Sequence, residues 1–313
     1  MEKVEKCDFC GHRNFKFLFY GFDKNLKISG KFRLVKCIKC GLIFINPRPS
    51  FNELKRHYPK DEYYSLSKIK TKEDSKKTRF KIFLYNIYFN PETKKNLLRV
   101  LFSPFKFLVR GAKIILGKKL LDVGSGSGQF LYEMKHFGLE TYGVEPGDFD
   151  KKSAKKYGLN IKKTDLIKAK YPSNFFDIVT IYHVLEHVDN PSEILKEIKR
   201  ILKKGGTLII GVPNTNSLAQ RLFRSNWISF DVPRHLFDFS EEILIKYLKK
   251  NSFKIKKIRY NSRPNQFSVS MVYLLNINSK GVIVKMLDII FLPLTYLVNL
   301  FRIGDQIEIY CEK

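Results

Sequence analysis

From residue 118 onward, short apolar runs alternate with segments whose apolar positions recur at helical spacing. KKLLDVG is an apolar strand ending at Gly124, and QFLYEMKHFG reads as a helix with Gly138 as its C-terminal stop. LETYGVEP is a second strand, DFDKKSAKKYG a helix that ends at Gly158, and LNIKKTD a third strand. FFDIVTIYHVL follows as a fourth strand, PSEILKEIKRIL as a helix with Pro191 at its start, and GGTLIIGVPN as a fifth strand. Alternation of this kind predicts parallel strands with helices on both faces, and right-handed crossovers make the sheet doubly wound. The fold class is therefore α/β. Ligands of such sheets bind at the carboxyl ends of the strands, by the switch point.

The pattern is less regular on either side. Residues 60–119 carry sixteen Lys/Arg against five Asp/Glu, interleaved with bulky apolar segments such as RFKIFLYNIYF. Two readings follow: linker helices that pack on the core with lysines outward, or a basic amphipathic surface for an anionic membrane. GVIVKMLDIIFLPLTYLVNLF (281–301) is about long enough to span a bilayer, but it contains Lys285, Asp288 and Pro293. An apparent last strand follows it and must rejoin the sheet. The stretch is therefore expected to be an inserted apolar helix or helical pair, placed at about 275–302, capping the site or lying on a membrane surface. The expected organisation is a small N-terminal module over 1–50, a basic and apolar helical linker over 51–117, and the α/β domain over 118–313.

Composition adds a partner class. The 313 residues have a net charge of +28 and a mean hydropathy of −0.24, which describes a soluble globular chain attracted to polyanions or phosphate-bearing substrates, or one with solvated lysines. MEKVEKCDFC is charged and lacks an apolar segment, so the expected compartment is a reducing cytoplasm, with peripheral contact at the inner membrane face. Four of the five cysteines form two C-x-x-C pairs, Cys7/Cys10 and Cys37/Cys40, each followed by glycine. Two such turns supply four thiolates for a tetrahedral structural zinc ion, and the gap between them fits a β-hairpin.

The loop LLDVGSGSGQF raises the question of a ligand. Gly124, Ser125, Gly126 and Gly128 stand between the first strand and the first helix, where bare backbone lets a ligand approach closely. Glu145 ends the second strand and can accept from ribose hydroxyls. The dinucleotide pattern G-x-G-x-x-G fails at Gln129; the pattern is instead D-x-G-x-G-x-G. Asp122 would then face an amino-acid ammonium directly or through water, and Asp165, at the end of the third strand, would accept from an adenine amino group or cap its own turn. S-adenosylmethionine has the ammonium, the ribose and the adenine, and lacks pyrophosphate.

At LLDVGSGSG, GVEP, FFDIVTIYHVLEHVDNP, EILKEIKRILKKGGTLIIGVPN and DVPRHLFDFS, the chain resembles the class I S-adenosylmethionine-dependent methyltransferases, over about residues 118–260 and a last strand at 305–312. With CxxCG…CxxCGLIFINPRP before it, it looks like their zinc-ribbon-bearing branch, which acts in sugar, polysaccharide or secondary-metabolite modification. The family usually has Cys where this chain has Ser125. The resemblance implies a Rossmann-like seven-stranded sheet of order 3-2-1-4-5-7-6 with an antiparallel seventh strand, placing strand six at FKIKKIRY and strand seven at DQIEIYCEK.

The implied reaction is methyl transfer to a small hydroxylated acceptor, a nucleotide- or lipid-linked sugar. An in-line methyl transfer needs alignment of the acceptor and, for a hydroxyl, a base. His235, in the segment that reaches over the cofactor in the resembled family, is the first candidate for the base, and His183 the second; His183 could instead shape the cofactor pocket. His187 and Glu186 are read as structural. Arg234 points to a phosphate or carboxylate on the acceptor, or to a surface ion pair. Trp227 and Phe230 floor the acceptor pocket or fill the core. Two other readings remain: an RNA or protein methyltransferase, supported by the charge, and a non-catalytic nucleic-acid- or membrane-binding protein with a methyltransferase-like fold.

Overall fold

The computed structural model describes residues 1–58, 68–73, 75–93, 96–277 and 281–313. Strands β1 (Phe15–Gly21), β2 (Phe32–Cys37) and β3 (Ile43–Ile45) come first, followed by helices α1 (Phe51–Arg56), α2 (Lys76–Phe89) and α3 (Asn96–Leu101). The alternating segment forms β4 (Lys119–Val123), α4 (Gln129–Lys135), β5 (Glu140–Val144), α5 (Lys151–Lys156), β6 (Asn160–Lys162), β7 (Phe176–Tyr182), α6 (Pro191–Ile201) and β8 (Leu202–Pro213). Then come α7 (Leu218–Phe223), β9 (Phe237–Asp238), α8 (Glu241–Lys250), β10 (Lys254–Tyr260), α9 (Asn265–Leu274), α10 (Val282–Ile290), α11 (Leu292–Leu300) and β11 (Gln306–Glu312).

The large sheet has the order β10-β11-β8-β7-β4-β5-β6. Pairing is parallel from β8 to β6, and β11 is antiparallel to both its neighbours. Numbered within this sheet, the order is the expected 3-2-1-4-5-7-6. β4, β7 and β8 from Gly206 onward are buried nearly throughout because both faces are covered, as in parallel sheets generally. Ile194, Leu195, Ile198 and Ile201 of α6 recur at helical spacing and are all buried against one face.

The second sheet has the order β1-β2-β3-β9. Its last strand comes from the segment DVPRHLFDFS, some two hundred residues downstream. Phe44 pairs with Phe237 and Ile43 with Asp238, and Cys37, Leu42 and Phe44 share one core with Leu121, Val179 and Ile210. The cysteine-bearing sheet thus packs directly on the α/β domain. Leu84 and Tyr85 of α2 pack with Leu120, Phe130 and Leu131 on the other face of the large sheet. Of the two readings of the basic segment, core packing holds for these residues; positions 59–67, 74 and 94–95 lie outside the described residues.

The described part of the insert between β10 and β11 is helical and begins with α9 at Asn265, ahead of the expected 275. Among the described residues no single helix is long and apolar enough to cross a membrane, and α10 and α11 are bent by 49° at their junction. Thr295 and Val298 turn inward, whereas Ile289, Val282 and Phe301 are 74%, 72% and 67% exposed.

Candidate active site

The loop after β4 is the first element of the site. Gly124, Gly126 and Gly128 have φ of +69°, +54° and +83°. A Cβ on Gly124 would also come within 2.2 Å of Val184 Cγ2, so this position demands glycine on two counts. The loop lines a cavity of about 680 Å³, which lies at the carboxyl end of the parallel strands where such sheets bind ligands.

The acids around the loop have distinct roles. Gly126 N–H donates to Glu145 Oε2 and Gly147 N–H to Oε1, both at 2.8 Å. Glu145 therefore braces the glycine loop, and each oxygen keeps a lone pair for a ribose hydroxyl. Burial pushes its carboxyl above the usual range, with the two backbone bonds opposing the shift. Asp122 is buried and fully engaged: Arg110 Nη2 donates to Oδ2 and the Thr180 hydroxyl to Oδ1, each at 2.6 Å. Asp122 was expected to face the ligand ammonium directly or through water; its carboxylate here holds Arg110, which lines the cavity. Asp165 accepts from Lys168 N–H at 2.8 Å and pairs with the Lys168 ammonium, which is its turn-capping role.

Arg110 is a site residue that no motif announced. Its guanidinium lies 3.4 Å from the centre of the Phe130 ring and lines the cavity. There it could take the carboxylate of the cofactor's methionyl end. Asp305 is a second such residue. It accepts from the Trp227 indole and the Ser229 hydroxyl, both at 3.3 Å, and lines the same cavity. Burial lifts its carboxyl to about 6.

A second cavity, of about 1200 Å³, adjoins the first. Both are lined by His183, Pro213, Ser229, Asp231 and His235. Its further walls come from α9 and α10, with Val269, Val272 and Val284, and from the loop between β1 and β2, with Phe22, Lys24 and Ile28. The cysteine-bearing module therefore shapes this chamber.

Two of the expected acceptor residues are placed differently. Arg234 is buried and committed to two carboxylates, Asp23 at 2.8 and 3.1 Å and Asp231 at 2.6 and 2.9 Å. It is neither a surface ion pair nor a free phosphate ligand, because both edges of its guanidinium are occupied. Trp227 is buried in the core against Phe230, with ring centroids 5.1 Å apart, and lines neither large cavity. Core filling was the alternative reading for this pair.

His183 and His235 do face the shared boundary. His183 follows β7 with φ +51°, a left-handed conformation that a surrounding structure must hold in place. Its Nδ1 lies 3.2 Å from Glu186 Oε1, and its Nε2 lies 2.9 Å from Gln306 Nε2. An imidazole oriented by a carboxylate is the arrangement of a general base. His235 Nδ1 lies 2.8 Å from the Ser229 carbonyl. Burial and the neighbouring His187 push its pKa down to about 4, so its ring is neutral. Burial alone would raise the Glu186 carboxyl, but the His183 bond and the three surrounding imidazoles outweigh it and hold it at about 2.

The four cysteines converge. Cys7 and Cys37 begin matching turns, in which Gly11 N–H donates to the Cys7 carbonyl and Gly41 N–H to the Cys37 carbonyl. Cys7 and Cys40 Sγ are 3.5 Å apart, Cys10 and Cys37 Sγ 3.6 Å, and all four lie within 4.8 Å of one another. Tetrahedral zinc with Zn–S bonds of about 2.3 Å needs sulfurs roughly 3.8 Å apart, so the set fits. If the set binds zinc, Cys37→Ser is expected to abolish that binding and, by loosening the β1–β2 loop, to impair acceptor use more than cofactor binding. Metal analysis and calorimetry check this; unchanged zinc content would remove the four-thiolate site.

A family model described as a methyltransferase domain matches residues 94–258. The chain belongs to this methyltransferase family. Its α/β domain is a S-adenosylmethionine-dependent methyltransferase domain. Ubiquinone biosynthesis O-methyltransferase of Pectobacterium atrosepticum is 27% identical over 164 residues, which are 50% of this chain and 66% of that protein. The enzyme of the same name from Proteus mirabilis is 32% identical over 139 residues, 42% of this chain and 54% of that protein. The methyltransferase thus matches about half to two thirds of the length of these relatives. Among solved structures, a SAM-dependent methyltransferase from Archaeoglobus fulgidus is 22% identical, with 74% of this chain and 99% of that chain covered and a TM-score of 0.45.

Proposed function

We propose that this protein transfers a methyl group to a hydroxyl oxygen of a small acceptor held in the larger cavity, with His183 as the base. When bound, the cofactor supplies an electrophilic methyl group on a sulfonium sulfur. The observation that carries the reading is the shared boundary: His183 and His235 line both cavities, so a cofactor in one and an acceptor in the other would meet beside a proton-accepting imidazole. His183 is preferred to His235 because Glu186 orients it and its ring is the more open of the two. Gln306 donates to its Nε2 at 2.9 Å. The name shared by the relatives, an O-methyltransferase, supports oxygen as the acceptor atom.

The acceptor class follows from the chamber. Its walls are largely apolar, and the lysines of its lining, Lys24, Lys27 and Lys285, outnumber its acids, Asp23 and Asp231, which are both paired with Arg234. This favours an amphiphile with an apolar body and an anionic group, and so a lipid-linked sugar or similar acceptor over a nucleotide-linked one. The exposed apolar faces of α10 and α11 support peripheral contact with an anionic membrane surface on the cytoplasmic side.

Calorimetric titration with S-adenosylhomocysteine, with NAD and GTP as controls, tests the cofactor half. Micromolar binding of S-adenosylhomocysteine alone is expected, weakened about tenfold or more by Glu145→Ala as the loop loses its carboxylate brace and the ribose its partner. No binding would sink the reading, and wild-type affinity in the variant would remove the role of Glu145. Transfer of labelled methyl groups to lipid-linked and nucleotide-linked sugars then tests the acceptor half.

A further inference from the structure

Beside the boundary of the two cavities, three side chains converge in a way that the methyl-transfer reading does not explain. Glu186, His187 and His235 each present one ligand-capable atom, all within 4.8 Å of one another. The two imidazoles meet edge to face, with ring centroids 4.7 Å apart. His187 Nδ1 lies 2.9 Å from the Arg234 carbonyl and 3.1 Å from the Tyr58 hydroxyl, and His235 Nδ1 lies 2.8 Å from the Ser229 carbonyl. A carbonyl only accepts, so each Nδ1 carries the proton, and in the neutral ring Nε2 keeps its lone pair. A backbone carbonyl on Nδ1 is the outer-shell partner that metal-bound histidines commonly have.

The carboxylate makes the case independent of the histidines. Glu186 is only 1% exposed, and its Oε2 has no hydrogen-bond partner among the described residues. An orphaned carboxylate oxygen at that depth is costly, and a cation would satisfy it. Glu186 Oε1 meanwhile faces His183, so one carboxylate can serve a ligand on one side and the base on the other.

We propose that Glu186, His187 and His235 bind a divalent metal ion of the zinc class, separate from the four-cysteine site. Two imidazoles and one carboxylate leave positions open on such an ion, as catalytic rather than structural sites do. The ion binds the acceptor hydroxyl and lowers its pKa. The hydroxyl proton passes to His183 Nε2, the oxygen forms its bond to the methyl carbon, and the methyl–sulfur bond breaks with its electron pair returning to sulfur. The role in catalysis rests on the function proposed above; the binding of the ion does not.

The test reads metal directly, without turnover. The full-length protein, equilibrated with Zn²⁺ and dialysed, is expected to hold two ions per chain. Glu186→Gln and His235→Ala are each expected to hold one, with S-adenosylhomocysteine binding and circular dichroism showing that the fold persists. Cobalt(II) supplies a readout in the wild type: two classes of site should appear, one with thiolate-to-metal charge transfer and one without. In Glu186→Gln only the thiolate class should remain. A single, thiolate-bound ion in the wild type would overturn the proposal, as would two ions retained in both variants.

Discussion

His183→Ala is expected to lower turnover by about 10²- to 10⁴-fold, the range by which a positioned general base contributes. Affinity for S-adenosylhomocysteine should change far less, because the glycine loop, Glu145 and Arg110 are untouched by the substitution. The effect should fall on kcat more than on KM, since the imidazole acts on the acceptor proton in the transition state. Steady-state kinetics with any competent acceptor, beside calorimetry, reads both quantities. The base moves to His235 or Asp305 if His183→Ala turns over as the wild type does. His235→Ala distinguishes the roles further: as a ligand residue it should lose metal as well as rate, whereas His183→Ala should lose rate alone.

Arg234→Ala should destabilise the protein by about 3–5 kcal/mol, the usual effect of removing one partner from a buried ion pair. The guanidinium stands between Asp23, which comes from the loop of the cysteine-bearing sheet, and Asp231, which lines both cavities. It also donates to the His57 carbonyl at 3.2 Å. Without it two carboxylates face each other in a poorly solvated space, and the loop that carries Lys24 loses its anchor. Denaturant unfolding measures the loss, and acceptor use should fall with it.

The same network sets a pH dependence. Burial raises the Asp23 and Asp231 carboxyls, but the bonds to Arg234 outweigh it and both end below the usual range. A carboxyl depressed in the folded state stabilises the fold above its unfolded pKa, near 4, and that stability is lost as pH falls through the folded value. The acid limb of the wild-type stability curve should therefore be steeper than that of Arg234→Ala. Parallel limbs would show that the pair contributes little.

Much of this was legible in the residues. Strict alternation of apolar runs and helical segments after residue 118 specified a parallel sheet, because each strand had to be buried on both faces. The D-x-G-x-G-x-G loop and Glu145 were readable because local backbone geometry and register fix them: Gly124 must tolerate a positive φ, and Glu145 follows β5 directly beside the loop. The two C-x-x-C turns were readable for the same local reason.

Residues whose role depends on a distant partner were not. Arg234 reads in sequence as a ligand for an anionic acceptor or as a surface ion pair, and only folding brings Asp23 to it across some two hundred positions. Arg110 sits in no motif and is placed by the packing of Phe130 and Asp122. Trp227 read equally as pocket floor or core, and the packing of α9 against it decides for the core. Glu186 looked structural because a carboxylate's value depends on what surrounds it.

The sequence by itself determined the parallel sheet, the glycine loop and the two C-x-x-C turns, since hydrophobic periodicity and turn chemistry act over a few residues, while the strand order was what the family resemblance implied. Tertiary structure alone decided that β9 completes the cysteine-bearing sheet, that the β1–β2 loop walls the second cavity, and that Glu186, His187 and His235 converge. Those arrangements depend on long-range packing and on the energy of burying charge, which no local pattern records.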